Sequence, residues 1–168
     1  MKFRRTRRDK WILEGVSSFE LALLMALVGS DGLWEEDLVR NRLYQDPGEL
    51  SEKERKEWRE LTHSDLESAF HQDLETVLKD LRQAEKRVGK GTEAVYRIKS
   101  TAENAEAWYQ TLNRARLALN EIHQLEAIRA DSRYAEASGN QQMALLRYEI
   151  YLAIQSVLLD EFLSPRGA

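Results

Sequence analysis

The feature that most constrains the fold of this chain is an amphipathic segment in its second half. Apolar residues recur there at alternating spacings of three and four, which places them on one face of an α-helix. A helix with such a face must bury it against other elements, so the segment predicts a helical core. We expect this helix to run from about residue 101 to residue 130, with an apolar face formed by Ala105, Trp108, Leu112, Ala115, Leu119 and Ile122.

A polar stripe accompanies this apolar face and is displaced from it by about 100 degrees around the helix. The stripe borders the predicted core, where an amide or guanidinium group without a hydrogen-bond partner destabilises a fold. Its side chains therefore need partners on a neighbouring element. The stripe consists of Tyr109, Asn113, Arg116, Asn120 and His123.

The last predicted helix, residues 142–163, is apolar around most of its circumference. A helix of this kind is buried on several sides or dimerises, and a homodimer formed through it is one prediction. If it packs against the central helix, Arg116 and Asn113 meet Glu149 and Gln155 at the edge of the core. The predicted polar network comprises Asn113, Arg116, Asn120, Tyr148, Glu149 and Gln155.

Two roles are open to this network. It fixes the register of the two long helices, or it forms a polar pocket for the terminus or a side chain of a partner. The first role predicts a loss of stability when Arg116 is replaced, and the second predicts a loss of partner binding.

The other elements are predicted from helix caps, glycines and periodicity. Serine and glutamate three residues apart mark capping boxes at Ser17, Ser51 and Ser100. The fold class is mainly α, a single-domain helical bundle with a small N-terminal β-hairpin or three-stranded sheet. Its parts are a basic hairpin at 1–16, a helical half at 17–91, a strand at 94–99 and two long core helices within 101–163. Within the helical half we expect helices at 17–28, 33–44 and 51–61, and a fourth from 66 to the glycines at 89 and 91.

The N-terminus differs in charge from the rest of the chain. Its first ten residues hold six cations and one acid, a net charge of +5, whereas the whole chain carries -4 and the remainder therefore -9. Such a segment is a nucleic-acid-binding arm or a basic edge strand that its charge keeps soluble. The predicted anion or nucleic-acid contacts of the arm are Arg4, Arg5, Arg7 and Arg8.

No residue pattern points to catalysis. The chain has no cysteine, which excludes disulfides, thiolate metal sites and cysteine nucleophiles. Glu60-x-x-His63 has the spacing used in helical di-iron proteins, but such a site needs a second copy, and the sequence has none. Neither a Gly-x-Ser-x-Gly elbow nor a phosphate-binding loop occurs. We expect no catalytic residue, no metal and no cofactor.

The apolar runs are too short to span a membrane, and the absence of cysteine favours the cytoplasm. A helix-turn-helix formed by the predicted helices at 17–28 and 33–44 is disfavoured. Its recognition helix would present Glu35, Glu36 and Asp37 to a negatively charged groove.

Several blocks of the chain resemble one family. The run of residues 107–113, Ala-Trp-Tyr-Gln-Thr-Leu-Asn, with Arg116 to Leu119 behind it, is similar to the central motif of an uncharacterised, mainly actinobacterial family, domain of unknown function 2017. Further similar blocks, in the same order, are residues 3–5, residues 57–62, and Tyr148-Glu149 followed by Gln155. The chain departs from the family pattern at Arg114, where the family tends to have an acid, and at Asn120, where it has glycine. It departs again around Tyr151 and Ile154, in a segment that usually contains more tryptophan in the family.

This resemblance implies no established activity. Some members of the family are labelled probable transcriptional regulators, and the family is often encoded beside the adaptor of the Clp protease and a metal-dependent isopeptidase-like protein. Gene neighbourhood is associational evidence, and it implies a cytosolic accessory protein.

The sequence therefore predicts a non-catalytic cytosolic interaction protein with a protein partner, an adaptor or regulator linked to protein turnover. The alternative is a DNA-binding transcriptional regulator that uses the basic N-terminal arm. A metal-binding helical-bundle enzyme is the third function.

Overall fold

The computed structural model describes residues 1–6, 9–28, 39, 42–43, 48, 50–88, 93–130 and 134–163. The chain is mainly helical and carries a small antiparallel sheet, which confirms that part of the predicted fold class. The predicted helix at 33–44 and the turn before it lie almost entirely outside the described residues.

The sheet has four strands instead of the two or three predicted: β1 (Lys2–Arg5), β2 (Lys10–Ser17), β3 (Glu85–Val88) and β4 (Ala94–Thr101). Their order is β1-β2-β4-β3, and every neighbouring pair is antiparallel. Trp11, Leu13 and Val16 of β2 are buried on the inner face of the sheet. A bulge between Leu13 and Val16, with Gly15 at a φ of 66°, restores the inward direction of Val16.

Five α-helices are described, and two of them begin at capping boxes that the sequence predicted, Ser17 with Glu20 and Ser51 with Glu54. Short 3₁₀ turns follow at Ala26–Val28 and Tyr134–Glu136, and a π-helical turn at Leu159–Leu163 continues the last helix. The helices are α1 (Ser18–Met25), α2 (Glu52–Arg82), α3 (Ala105–His123), α4 (Leu125–Ala130) and α5 (Gly139–Leu158).

The prediction for residues 51–91 was wrong in two places. Helix α2 continues without a break past Thr62, whose hydroxyl donates to the carbonyl of Trp58 at 2.7 Å instead of capping a new helix. Helix α2 also ends at Arg82, and residues 85–88 form the edge strand β3 rather than a further turn of helix. Pairing with β4 supplies the backbone hydrogen bonds of β3, and sequence periodicity does not reveal that partner.

The third predicted capping box was also wrong. Ser100 lies in β4 and is buried, and α3 begins later, at Ala105. A capping box that the sequence analysis missed, Ser138 with Gln141, starts α5 at Gly139 instead of residue 142. The predicted helix to residue 130 is interrupted at Gln124, where a left-handed conformation (φ 53°) separates α3 from α4.

The apolar face predicted for the central helix is the centre of the core. Ala105, Trp108, Leu112, Ala115 and Leu119 are fully buried, and Ile122 packs against the same cluster while remaining partly exposed. The Trp108 ring meets the Trp11 ring edge to face, with 5.2 Å between ring centroids, so α3 packs on the inner face of the sheet.

Two buried arginines connect α3 and α5 to other helices. Arg114 pairs with Asp73 of α2 at 2.8 Å and stacks over the ring of Phe70. Arg147 of α5 donates to the carbonyl oxygen of Ala26 at 3.0 Å, which satisfies a carbonyl group at the end of α1.

A buried carboxylate joins α2, β4 and α3. One carboxylate oxygen of Asp80 accepts hydrogen bonds from the Ser100 hydroxyl, from Trp108 Nε1 at 2.9 Å and from the Asn104 amide at 3.3 Å. All three donors are neutral groups. The carboxylate also lies at the N-terminus of α3, where the helix macrodipole favours a negative charge.

We predict that Asp80→Ala lowers the free energy of unfolding by about 2–4 kcal/mol, because three donors lose a charged acceptor and two of these lie in the core. Urea unfolding measures the change. Asp65→Ala is the matched control, since Asp65 is exposed on the same helix and its loss should cost less than about 0.5 kcal/mol. Equal effects of the two substitutions would contradict the role assigned to Asp80.

Candidate functional site

The first candidate site is a cluster of polar side chains between α3, α4 and α5, called here the Tyr148 cluster: Arg116, Arg129, Tyr148, Glu149 and Gln155. Arg116 of α3 reaches across to α5. It donates through Nη1 to the side-chain carbonyl of Gln155, and through Nη2 to the Tyr148 hydroxyl at 2.7 Å. Its guanidinium carbon lies 4.5 Å from the centre of the Tyr148 ring, a cation–π distance.

Arg129 is the member of the cluster that the sequence analysis missed. It donates to Glu149 through Nε at 3.0 Å and to the Tyr148 hydroxyl through Nη1 at 3.3 Å. Its guanidinium carbon lies 4.6 Å from the Tyr148 ring centre. The left-handed residue Gln124 redirects the chain into α4 and so determines where Arg129 lies, and no glycine or proline marks this turn in the sequence.

The structure thus brings together four of the six residues of the predicted network. Arg116 meets Gln155, as the helix faces suggested, whereas Glu149 pairs with Arg129 instead of Arg116. Asn113 is half-buried on α3, and the contacts of the cluster do not include it. Asn120 has a different task, because its side-chain oxygen accepts the backbone N–H of Glu126 at 2.7 Å and so caps the start of α4.

The second candidate site is the outer face of the sheet, opposite the buried tryptophans. Alternation along the strands directs six cations and two acids to this face, a net charge of +4 on a chain of net charge -4. Five of the six cations are exposed, with side-chain exposures of 58% for Arg4, 54% for Arg87 and 51% for Lys99, whereas Arg97 is half-buried. The charged residues of the outer sheet face are Lys2, Arg4, Lys10, Glu14, Glu85, Arg87, Arg97 and Lys99.

Each acid of the outer sheet face is shared by two cations. Glu14 pairs with Arg4 at 3.0 Å and with Arg97 at 2.9 Å. Glu85 pairs with Lys99, and with Arg87 at 2.8 Å. The hydrogen bond from Lys99, followed by that from Arg87, lowers the pKa of Glu85 below its ordinary value. Each trio therefore retains one uncompensated positive charge.

The four arginines predicted as an N-terminal arm do not share one role. Arg4 belongs to the outer sheet face. Arg5 points to the other side of β1, where it donates to the backbone carbonyl of Glu161 at 2.7 Å and lies over the ring of Phe162. Arg7 and Arg8 lie outside the described residues. The described part of this segment is thus the edge strand of a sheet.

Among the described residues, no group of three or more histidine, aspartate or glutamate side chains could hold a metal ion. In the same part of the chain, no helix combines the length and the apolar character needed to cross a membrane.

These features define a mainly helical protein in which one face of a four-stranded antiparallel sheet is covered by helices and the other is basic. The model of the family described as domain of unknown function (DUF2017) matches residues 3–162, and the chain belongs to this family. No curated protein and no solved structure matched the chain.

We predict that Lys99→Gln raises the pKa of Glu85 toward its ordinary value, because the main hydrogen bond that lowers it is lost. The pKa is read from the side-chain carboxyl carbon in an NMR pH titration. Since the folded-state pKa is lowered, the interaction stabilises the fold above the unfolded pKa and is lost as the pH falls through the folded one. Lys86→Gln, on the other side of β3, should leave the pKa of Glu85 where it is, and an equal shift in both variants would contradict this assignment.

A second prediction concerns the register of α3 and α5. Arg116→Leu should lower the free energy of unfolding by about 1–2 kcal/mol, because the buried side chain of Gln155 loses its donor. Thermal unfolding measures the change, with Arg55→Leu on the exposed face of α2 as the control. If Arg116→Leu is as stable as the wild-type protein, Arg116 does not fix the register of α3 and α5.

Proposed function

We propose that this protein is a non-catalytic interaction protein whose protein partner docks on the outer sheet face through acidic side chains. The observation that carries the proposal is the charge of this face, which is +4 on a chain whose net charge is -4. A charged and exposed surface suits a macromolecular partner, and charge complementarity gives such contacts their specificity and their association rate.

An acidic protein segment fits this surface better than a nucleic acid does. Glu14 and Glu85 interrupt the positive charge and would repel a continuous phosphate backbone, whereas they leave room for spaced carboxylates. The aromatic residues of the described strands, Phe3, Trp11 and Tyr96, lie on the inner side, so these strands present no ring on the outer face for base stacking.

Three finer parts of the proposal have separate support. The role of adaptor or regulator in protein turnover rests on the gene neighbourhood of the family. A cytosolic location rests on the lack of cysteine in the whole sequence. A homodimer formed through α5 is supported by two apolar side chains on its surface, Met143 with 45% and Leu146 with 40% exposure.

DNA binding is the second candidate, and the same cationic face favours it. Of the four arginines predicted as contacts, Arg5 is engaged with Glu161 and Phe162 and so does not serve this candidate, and Arg7 and Arg8 lie outside the described residues. The contacts would be Arg4 together with the other cations of the outer sheet face.

The test uses Lys2→Glu with Lys10→Glu. These lysines lie on the outer sheet face and have no acidic partner among the described residues. The double substitution reduces the charge of the face from +4 to zero while the ion-paired trios remain intact. We expect the fold to be preserved and a partner protein, captured from the native cell with the wild-type chain, to be lost with this variant.

Arg55→Glu with Lys79→Glu is the matched control. It changes the net charge of the chain by the same amount, but on the exposed surface of α2, and it should retain the partner. Equal loss in both variants would show a non-specific charge effect. A sequence-selective gel shift with genomic DNA that survives moderate salt and is abolished by the sheet-face variant would favour the DNA-binding candidate instead.

A further inference from the structure

The Tyr148 hydroxyl is surrounded in an unusual way. Its oxygen accepts hydrogen bonds from two guanidinium groups, those of Arg116 at 2.7 Å and Arg129 at 3.3 Å. A phenol whose oxygen accepts in this way retains its own hydrogen for donation. Among the contacts of the described residues, no acceptor receives that hydrogen.

The two arginines also retain donors. A guanidinium group has five N–H donors. The hydrogen bonds within the cluster occupy two of them in Arg116 and two in Arg129. Arg129 is 31% exposed, so the cluster is open to solvent on the α4 side. Free N–H donors therefore lie beside the free O–H hydrogen of Tyr148.

The charge of the cluster selects the ligand. Arg116 and Arg129 contribute two positive charges and Glu149 one negative charge, which leaves a net charge of +1. Arg116 has no acidic partner in the described part of the chain. A singly charged anion would neutralise the cluster, whereas a phosphate, with a charge of about -1.5 to -2, would overcompensate it. A carboxylate also matches paired N–H donors geometrically.

We propose that the Tyr148 cluster is a carboxylate-binding site. One oxygen of the carboxylate accepts the Tyr148 hydroxyl hydrogen, and the other accepts a free N–H of Arg129 or Arg116. The site is formed by α3, α4 and α5 and is separate from the outer sheet face. A failure of the docking proposed for the sheet would therefore not affect this proposal, and the reverse also holds. A chain terminus, an acidic side chain or a small organic acid could supply the carboxylate.

The test is an NMR titration of the full-length protein labelled with ¹⁵N, followed at the arginine Nε–H signals. Acetate is the probe for any carboxylate, N-acetylalanine for a chain terminus, and inorganic phosphate for the competing anion. We expect saturable shifts of the Arg116 and Arg129 signals with both carboxylates. If N-acetylalanine binds more tightly than acetate, the ligand is a chain terminus. If the two bind equally, the site is supported as one that accepts any carboxylate.

Tyr148→Phe keeps the ring that both arginines stack on and removes only the hydroxyl group. It should weaken acetate binding by about tenfold, the effect of losing a hydrogen bond to a charged group. Arg129→Gln, a change at a partly exposed residue, should weaken it as well and serves if the first variant does not fold. Tyr134→Phe, at an exposed tyrosine, should leave the affinity unchanged.

Three results would overturn the proposal. One is the absence of saturable shifts with either carboxylate. Another is an affinity for acetate that neither Tyr148→Phe nor Arg129→Gln reduces. The third is tighter binding of phosphate than of both carboxylates, which would identify a phosphate site in place of a carboxylate site.

Discussion

The fold depends on the environment of Trp108. Its ring packs edge to face against Trp11 of the sheet, and its indole N–H donates to the buried carboxylate of Asp80 on α2. One side chain thus connects three elements that are far apart in the sequence. An apolar contact and a charge-assisted hydrogen bond must be satisfied together, which leaves little freedom in how α3 can sit on the sheet. The positions of both candidate sites follow from this placement.

On the covered side of the sheet, the placement of α3 turns Arg116 toward α5, where Tyr148 and Gln155 accept its hydrogen bonds. On the open side, alternation along the same strands leaves the lysines and arginines in solvent. The helices are therefore needed for both surfaces: they bury one face of the sheet and thereby make the other the exposed face. As a consequence, the outer sheet face is positively charged although the net charge of the whole chain is -4.

Much of the fold could be predicted from the sequence because it depends on local patterns. The apolar spacing around Trp108 identified the core helix, and the capping boxes at Ser17 and Ser51 identified two helix starts. The Tyr148 cluster was partly predictable, since helix faces placed Arg116 opposite Gln155. Arg129 was not predictable, because its position depends on the left-handed conformation of Gln124, and glutamine is not a residue that signals such a turn.

The sequence by itself determined the mainly helical class, the hairpin and the faces of the long helices, because spacing and caps act over a few residues. The tertiary structure decided which residues of these elements contact each other and which remain exposed. Strand β3 exists because β4 pairs with it, and Ser100 became a donor to Asp80 because the carboxylate lies beside it. Such partners are distant in sequence, and the free energy of a buried polar group depends on what faces it across the core. The same holds for the polar stripe of α3. Arg116 belongs to the Tyr148 cluster only because α5 and α4 bring Tyr148 and Arg129 beside it.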